Sequence, residues 1–372
     1  MTPPRRILVV RRDNIGDLVC TTPLFDALRV AWPQAHIAAL VNSYNAEVLT
    51  RNSALDAVHV YTKLKHRAPG TSVLAPLLAR LALIRQLRRQ RFDLAILARS
   101  GFDRHGLNFV RLLGIPRVLG FSPPDGTTIW ALTDPLRTPD NAKLHEVEAV
   151  WKLIDALGVD AAPGPLKVYP DPARVAAWRR KVGAGGAAPA GSAADMGTPL
   201  LAVHVSAREA TRQLSVEKWV AFLRELHAAQ PHVRLALFWS PGAEDDPRHP
   251  GDDAKAKAIL AGCDGLGVIP CPTATLDDLM AGLSCCDAFI GADGGAMHVA
   301  VACGLPTIGL FENSSFKRAH WYPWQVKHEI VASPTFGIGD IDPDKMVSAV
   351  LRVVETEQAG EAVSLQTGRL GR

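Results

Sequence analysis

Short apolar runs alternate along the chain with stretches whose apolar residues recur at helical spacing. The first run, Ile7–Val10, predicts a buried strand, and the apolar residues between Leu74 and Leu87 predict a helix. The alternation begins again at Leu200–Val205, so the sequence predicts two parallel sheets with helices on both faces. Further strands are predicted at 36–41, 94–97, 233–239, 288–291 and 307–311, and further helices at 23–31, 215–229, 276–283 and 297–303.

A segment without large apolar side chains separates the two series of elements. Residues 183–197 read GAGGAAPAGSAADMG, and so little apolar surface cannot order a segment by burial. The expected fold class is therefore α/β, with two Rossmann-like, doubly wound domains facing a central cleft. The predicted divisions are an N-terminal domain at 1–170, a Gly/Ala-rich linker at 171–198, a C-terminal domain at 199–340, and a C-terminal helix with a frayed tail at 341–372.

Composition and charge narrow the class of protein. The 372 residues are 48% hydrophobic and 21% charged, with a net charge of +4 and no long basic block, which does not favour a nucleic-acid partner. No apolar run approaches the roughly 18 residues that cross a bilayer, and the N-terminal apolar stretch is too short for a signal peptide. We therefore expect a cytoplasmic protein, with peripheral contact to the inner face of the inner membrane left open. The six cysteines form no CxxC pair and are expected to be reduced core residues.

A loop directly after the first predicted strand carries two carboxylates. Asp13, Gly16 and Asp17 lie between this strand and the helix that Pro23 opens. A carboxylate at the carboxyl end of a strand can accept a proton from a substrate hydroxyl. The alternative is structural: Asp17 caps a helix and Asp13 pairs with an arginine. The loop alone does not separate the two interpretations.

A glycine-rich turn follows a predicted strand in the second half. Asp293, Gly294 and Gly295 form the turn, and His298 lies in the first turn of the next predicted helix. Glycines allow close backbone approach, and the N–H groups of a helix start favour phosphate. The turn matches neither a P-loop nor the GxGxxG dinucleotide fingerprint. The alternative is a tight turn in which Asp293 caps the helix and His298 is a packing residue.

Other polar positions extend these two candidate sites. Ser206 and Arg212 follow the first strand of the second half, where an arginine can bind phosphate. Glu244 follows the next strand, where a carboxylate can bind ribose hydroxyls. Two basic clusters are candidates for contact with an anionic acceptor or with lipid headgroups, and the alternative for both is a solvated surface. They are Lys63, Lys65, His66 and Arg67, and Arg85, Arg88, Arg89 and Arg91.

Two motifs taken together resemble glycosyltransferase family 9, the bacterial heptosyltransferases. The opening RILVVRRDNIGDLVCTTPLFDALR is similar to the N-terminal signature of that family, and FIGADGGAMHVAVACGLPTIGLFENSS is similar to its donor-site signature. The resemblance covers about residues 5–335. It implies the GT-B arrangement of two Rossmann-like domains, with inverting, metal-independent transfer of a sugar from a nucleotide-activated donor.

The resemblance also implies roles for individual residues. Asp17 takes the position of the catalytic base, and Arg212 stands where relatives place a phosphate-binding lysine. Gly294 stands where the family commonly has Thr or Ser, so one hydroxyl is absent from the donor loop. The implied donor-binding residues are Asp293, Gly294, Gly295, His298, Arg212, Glu244 and Ser206. The implied acceptor-binding residues are Asp13, Arg11, Lys63 and Lys65.

The expected function is transfer of a sugar, with heptose favoured, from a nucleoside diphosphate donor such as ADP-heptose to lipopolysaccharide or a related anionic glycolipid. No cofactor and no metal are expected. Two alternatives remain. A nucleotide-dependent oxidoreductase is also built on doubly wound domains, but GxGxxG is absent after Val10. A non-catalytic nucleotide-sugar-binding protein would bind without turnover, and the presence of Asp17 and His298 argues against it.

Overall fold

The computed structural model describes residues 3–61, 74–184, 198–246 and 250–354. The chain forms two compact units, Met1–Tyr169 and Pro170–Arg372. Each unit is built on its own six-stranded sheet.

The sheet of the first unit is parallel throughout. Its strands are β1 Arg6–Val10, β2 His36–Asn42, β3 Ala57–Tyr61, β4 Leu94–Leu97, β5 Arg117–Phe121 and β6 Asp134–Leu136. They are ordered β3-β2-β1-β4-β5-β6, which is the strand order of a Rossmann fold. The central strands read as continuous apolar runs because both of their faces are buried, as at Ile7–Val10. The direction of winding reverses between β1 and β4, and ligands bind at such a point.

Helices cover the first sheet and fix the loops at its carboxyl edge. They are α1 Ile15–Val19, α2 Thr22–Ala31, α3 Leu74–Arg89, α4 Arg104–Arg111 and α5 Glu146–Ala156. Pro23 lies in the first turn of α2, where its missing N–H costs nothing. The helix α5 begins with a capping box between His145 and Glu148. Its buried face, which includes Val150 and Leu153, packs towards α2.

The second unit repeats the same topology. Its strands are β7 Leu200–His204, β8 Arg234–Trp239, β9 Ile269–Pro272, β10 Ala288–Ala292, β11 Thr307–Phe311 and β12 His328–Ala332. Their order is β12-β11-β10-β7-β8-β9, and every neighbouring pair is parallel. Counted from its own first strand, this is again the Rossmann order, with the reversal between β7 and β10.

Seven helices accompany the second sheet within the described residues. They are α6 Pro172–Ala184, α7 Val216–Ala229, α8 Asp253–Gly262, α9 Leu276–Leu283, α10 Gly295–Ala302, α11 Ser315–Trp321 and α12 at 343–354. One hydrophobic cluster joins α7 to the sheet through Trp219 and Phe222, and it includes Met346 and Val350 of α12. The predicted C-terminal helix therefore packs against the core of this unit.

The helix α6 shortens the linker that the composition predicts at 171–198. Residues 172–184 of that range are helical, because Trp178 and Val182 recur one turn apart and are both buried. The Trp178 ring stacks on Phe238 of β8 with ring centroids 5.8 Å apart. Residues 185–197 lie outside the described residues.

Candidate active site

A buried arginine organises the carboxyl edge of the first sheet. Arg11 follows β1 directly and is 1% exposed. Its Nη1 donates to the backbone carbonyl of Ala98, which follows β4. Its Nη2 donates to Asp17 Oδ1 at 2.8 Å and to Glu146 Oε1 at 2.6 Å. The guanidinium therefore joins α1 and α5 to the two central strands, at the crevice where a Rossmann fold binds its ligands.

Asp17 combines a helix-capping contact with this charged contact. Its Oδ2 accepts a hydrogen bond from the backbone N–H of Asn14 at 3.2 Å, closing a capping box at the start of α1. Its side chain is 17% exposed. A carboxylate offers about four acceptor positions, so Asp17 keeps positions for a substrate hydroxyl. The structural and the catalytic interpretations of this residue do not exclude each other.

Asp13 lies beside the same arginine. Its Oδ2 is 3.6 Å from the Nε atoms of both Arg11 and Arg99. Burial raises the pKa of Asp13, Arg11 and Arg99 oppose that shift, and Asp17 adds to it. The backbone of the loop is fixed by Asn42, whose Nδ2 donates to the Asp13 carbonyl at 2.9 Å. The ion pairs expected of a structural Asp13 are therefore present.

Glu146 belongs to this cluster although the sequence did not predict it. It is 1% exposed and opens α5, directly after the capping residue His145. The local signal for it is a carboxylate at a helix start, and favourable interaction with the helix dipole explains that signal equally well. The predicted acceptor residues Lys63 and Lys65 lie outside the described residues.

At the equivalent crevice of the second unit, the helix α10 begins at a glycine. Gly294, the N-cap of α10, is extended with φ 166° and ψ −172°. Glycine has no side chain with which to cap a helix, so the first N–H groups, at Gly295, Ala296 and Met297, have no intrahelical acceptor. Such N–H groups and the helix dipole together favour an anion. A Cβ added at Gly294 would meet the Ala292 carbonyl oxygen at 3.9 Å, an ordinary contact, so the turn has room for a side chain.

Arg212 lies against this turn. Its Nη1 donates to the Asp293 carbonyl at 2.9 Å, its Nη2 is 3.6 Å from Asp293 Oδ2, and its Nε donates to Glu312 Oε2 at 3.3 Å. Glu312 follows β11, is 4% exposed and also pairs with Lys317. Burial would raise the pKa of Glu312, but Lys317, Thr211 and Arg212 outweigh burial and lower it. Glu312, which the sequence did not predict, therefore stays charged and holds Arg212 beside α10.

His298 is enclosed by its own unit. It is 2% exposed, and its ring packs edge-on against Trp321 with centroids 5.7 Å apart. Its backbone N–H donates to the Gly294 carbonyl at 3.3 Å. These surroundings match the packing role considered for His298, and a contact of this residue with a donor stays a prediction.

Ser206 and Glu244 occupy different environments. The Ser206 Oγ accepts a hydrogen bond from the backbone N–H of Ser240 at 2.9 Å, which ties the end of β7 to the end of β8. Glu244 is exposed and lines a cavity of about 470 Å³, which falls in the size range of small-molecule pockets. Residues from the starts of α7 and α8 line the same cavity, including Ser215 and Lys255.

Known proteins are similar to this chain in sequence and in fold. The sequence pattern of Glycosyltransferase family 9 (heptosyltransferase) matches residues 80–339. The chain is 24% identical over 311 residues to Lipopolysaccharide heptosyltransferase 3 of Escherichia coli, covering 83% of each chain. The structure of the glycosyl transferase family 9 protein from Veillonella parvula matches with a TM-score of 0.77 at 16% identity, over 94% of this chain and 97% of that one. E. coli heptosyltransferase WaaC with ADP-2-deoxy-2-fluoro heptose matches with a TM-score of 0.68 at 16% identity, over 95% and 99%.

The two parallel six-stranded sheets therefore have the GT-B fold class of the heptosyltransferases. The chain belongs to Glycosyltransferase family 9, because the family pattern spans well over half of it. It is a glycosyltransferase. The alternative function considered from the sequence, a nucleotide-dependent oxidoreductase, is therefore wrong. In the ranges that the structure describes, no helix combines the length and apolar character needed to cross a membrane. The same ranges contain no group of three or more His, Cys, Asp or Glu side chains arranged to hold a metal ion.

Proposed function

We propose that this glycosyltransferase moves a sugar, with heptose favoured, from a nucleoside diphosphate donor to a hydroxyl of lipopolysaccharide or a related surface glycan. The observation that carries the proposal is the partly exposed carboxylate of Asp17, held by Arg11 at the crevice of the first sheet. Its sequence relative from E. coli is a lipopolysaccharide heptosyltransferase, and the WaaC structure contains an ADP-heptose analogue. We take the acceptor class, lipopolysaccharide, from the first relative and the donor, ADP-heptose, from the second.

In the proposed reaction, Asp17 accepts the proton of the acceptor hydroxyl as that oxygen attacks the anomeric carbon. Attack comes from the face opposite the nucleotide. The new C–O bond forms while the bond from the anomeric carbon to the diphosphate oxygen breaks, so the configuration inverts. A positioned general base of this kind contributes about 10²–10⁴-fold to the rate.

The departing diphosphate gains negative charge, and the start of α10 is suited to stabilise it. The N–H groups of Gly295 and Ala296 would donate to phosphate oxygens, and Arg212 adds a positive charge that Asp293 and Glu312 hold beside the turn. Fixed donors and charges stabilise a developing anion without reorganising. The proposal assigns this work to protein groups and not to a metal ion. EDTA should therefore leave the rate unchanged, and strict dependence on added Mg²⁺ would contradict the assignment.

The nucleoside is proposed to occupy the cavity beside Glu244. Its carboxylate can accept hydrogen bonds from ribose hydroxyls, and the cavity volume of about 470 Å³ suits a nucleoside. Glu244→Gln should weaken ADP binding, measured by calorimetry, more than it weakens binding of inorganic diphosphate. Equal weakening of the two ligands would contradict the ribose contact.

We also propose a cytoplasmic location, and the helix α3 supports contact with a membrane surface. Leu78 and Leu81 are 64% and 42% exposed, and Arg85, Arg88 and Arg89 on the same helix are also exposed. No acidic residue lies in α3. Exposed leucines can enter the headgroup region of a membrane, and arginines beside them can pair with anionic lipid.

Vesicle binding tests the role of α3. Leu78→Ser should reduce co-sedimentation with phosphatidylglycerol vesicles, whereas Leu112→Ser, at another exposed leucine, should not. Equal binding by the two variants, or equal binding to neutral vesicles, would contradict contact through α3.

Substitution of Asp17 tests the catalytic proposal. Asp17→Asn should lower kcat by at least about 100-fold, because the general base is lost, and should leave ADP binding unchanged. ADP release from ADP-heptose with a heptose-free lipopolysaccharide core measures turnover. Asp13→Asn is the matched control in the same loop. Near-normal turnover by Asp17→Asn, with loss in Asp13→Asn, would move the role of the base to Asp13.

A further inference from the structure

We propose that Glu146 is a positioning residue for Asp17 and acts through the buried guanidinium of Arg11. Glu146 and Asp17 bind the same guanidinium nitrogen, so the charge of Glu146 and its hold on Arg11 both act on Asp17. The inference rests on the proposed role of Asp17 as the catalytic base. It concerns a residue 135 positions away from Arg11 in the chain.

One nitrogen atom of Arg11 contacts both carboxylates. Arg11 Nη2 carries two hydrogens, and it donates to Asp17 Oδ1 at 2.8 Å and to Glu146 Oε1 at 2.6 Å. Nη1 is anchored on the Ala98 carbonyl. The guanidinium plane is thus fixed by a strand end and by α5, and its remaining contact orients Asp17. If Glu146 is lost, one of the two contacts that hold Nη2 is lost.

The charged groups of this cluster are buried together. Arg11 and Glu146 are each 1% exposed, so solvent screens their interaction little. Burial alone would lower the pKa of Arg11, but Glu146, Asp17 and Asp13 outweigh burial and raise it, so the guanidinium remains charged. Three carboxylates therefore share one buried positive charge. Asp17 and Glu146 bind the same nitrogen, within the separation of about 4–6 Å at which charges alter each other's protonation.

The surrounding charges do not replace Glu146. Arg99, which follows β4, lies 3.6 Å from Asp13 Oδ2 and is half exposed. Arg12 is directed to Asp103, the N-cap of α4, at 3.8 Å. Arg99 and Arg12 therefore form ion pairs with Asp13 and Asp103. Among the described residues, Arg11 is therefore the cation paired with Asp17, and Glu146 is the buried anion that competes with Asp17 for it.

Two substitutions should move the protonation of Asp17 in opposite directions. Glu146→Gln keeps the shape and the acceptor oxygen but removes the competing negative charge, so the titration midpoint of Asp17 should fall. Arg11→Gln removes the cation and should raise the midpoint. A loss of local structure would not produce shifts of opposite sign. Glu148→Gln is the matched control, because Glu148 caps the same helix through the His145 N–H.

NMR of protein labelled with ¹³C at aspartate carboxyls measures the midpoint without any substrate. The Asp17 signal is assigned by its absence in Asp17→Asn. Where turnover is measurable with ADP-heptose, the acid limb of the pH–rate profile should shift in the same sense. Glu146→Gln should also lower kcat by roughly 3- to 10-fold, since base efficiency follows Brønsted behaviour, while the KM for donor stays unchanged.

The outcomes separate this inference from the proposed function. Shifts of the same sign, or no difference between Glu146→Gln and Glu148→Gln, would overturn the role of Glu146 even if Asp17→Asn is inactive. Normal turnover by Asp17→Asn would overturn the catalytic proposal whatever the titration shows. If Glu146→Gln does not fold, Arg11→Gln decides alone, and a midpoint that falls or stays unchanged refutes the inference.

Discussion

Gly294 gives the sharpest test of the proposed phosphate site. The substitution Gly294→Asp places a carboxylate at the N-cap of α10, where it can accept hydrogen bonds from the helix N–H groups. The backbone there is extended, and an added Cβ would meet the Ala292 carbonyl oxygen at 3.9 Å. The side chain should therefore fit without strain.

The expected effects on stability and on binding have opposite signs. Replacing glycine where the backbone is compatible stabilises by about 0.4–1 kcal/mol, so the Tm without ligand should stay constant or rise by up to about 4 °C. The same carboxylate occupies the N–H groups and repels a diphosphate. Two unit charges about 4 Å apart near a protein surface interact by about 4 kcal/mol. After screening by salt we expect at least a roughly 30-fold loss of ADP affinity, about 2 kcal/mol.

Calorimetry with ADP and thermal unfolding without ligand measure the two effects. Gly294→Asn is the matched control, because it has the shape of Asp without the charge and should lose much less affinity. Gly309→Ala is the control for steric strain: its Cβ would lie 2.6 Å from Phe311 Cε2 in β11, so its Tm should fall.

Two results would refute the reasoning. ADP affinity within threefold of the original in Gly294→Asp would mean that the start of α10 does not hold the diphosphate. A Tm that falls by several degrees in Gly294→Asn would mean that the turn lacks the room assigned to it.

Three other predictions concern charge and burial. Arg212→Gln should weaken ADP binding roughly tenfold, since a charged contact contributes about 1.5 kcal/mol or more. Arg212→Lys keeps the charge and should retain most of the affinity. Equal losses for the two variants in calorimetry would mean that the charge of Arg212 does not contribute to ADP binding. Desolvation lowers the pKa of His204 to about 4. As the pH falls, the unfolded chain therefore binds a proton at His204 before the folded protein does. Stability on the order of 3 kcal/mol is lost between about pH 6.5 and about pH 4. In urea unfolding, His204→Asn should reduce this loss, and an unchanged pH dependence would contradict it. Burial raises the pKa of Cys271 and Cys303 to about 12. Iodoacetamide at pH 8 should therefore label both slowly, as measured by mass spectrometry, and rapid labelling of the folded protein would contradict the raised pKa.

The central strands and the two loops after them could be predicted from local pattern. The runs Ile7–Val10 and Leu200–Val205 are apolar because both faces of a central parallel strand are buried. The edge strands gave no such signal. Along β3 the burial pattern is mixed, and β9 contains Pro270 and Pro272, which a strand tolerates at a sheet edge.

The partners of the site residues could not be predicted because they come from distant parts of the chain. Arg11 pairs with Glu146 across 135 residues, and Arg212 pairs with Glu312 across 100. Nothing in the local sequence of a helix start or a strand end says which charge the fold will bring to it. The sequence could predict the candidate residues at the two strand ends, but not the buried carboxylates that hold their arginines.

The two units have the same topology, and the different roles proposed for them follow from how one helix in each begins. In the first unit, Asp17 caps α1 with its own carboxylate. The Asp17 carboxylate accepts the backbone N–H of the N-cap residue Asn14 and leaves a negative charge at the crevice, which suits a base and disfavours phosphate. In the second unit, α10 begins at Gly294, which has no capping side chain. Its N–H groups therefore remain available to an anion. A carboxylate at one helix start and a glycine at the other therefore support the proposal that the base lies in the first unit and the diphosphate site in the second.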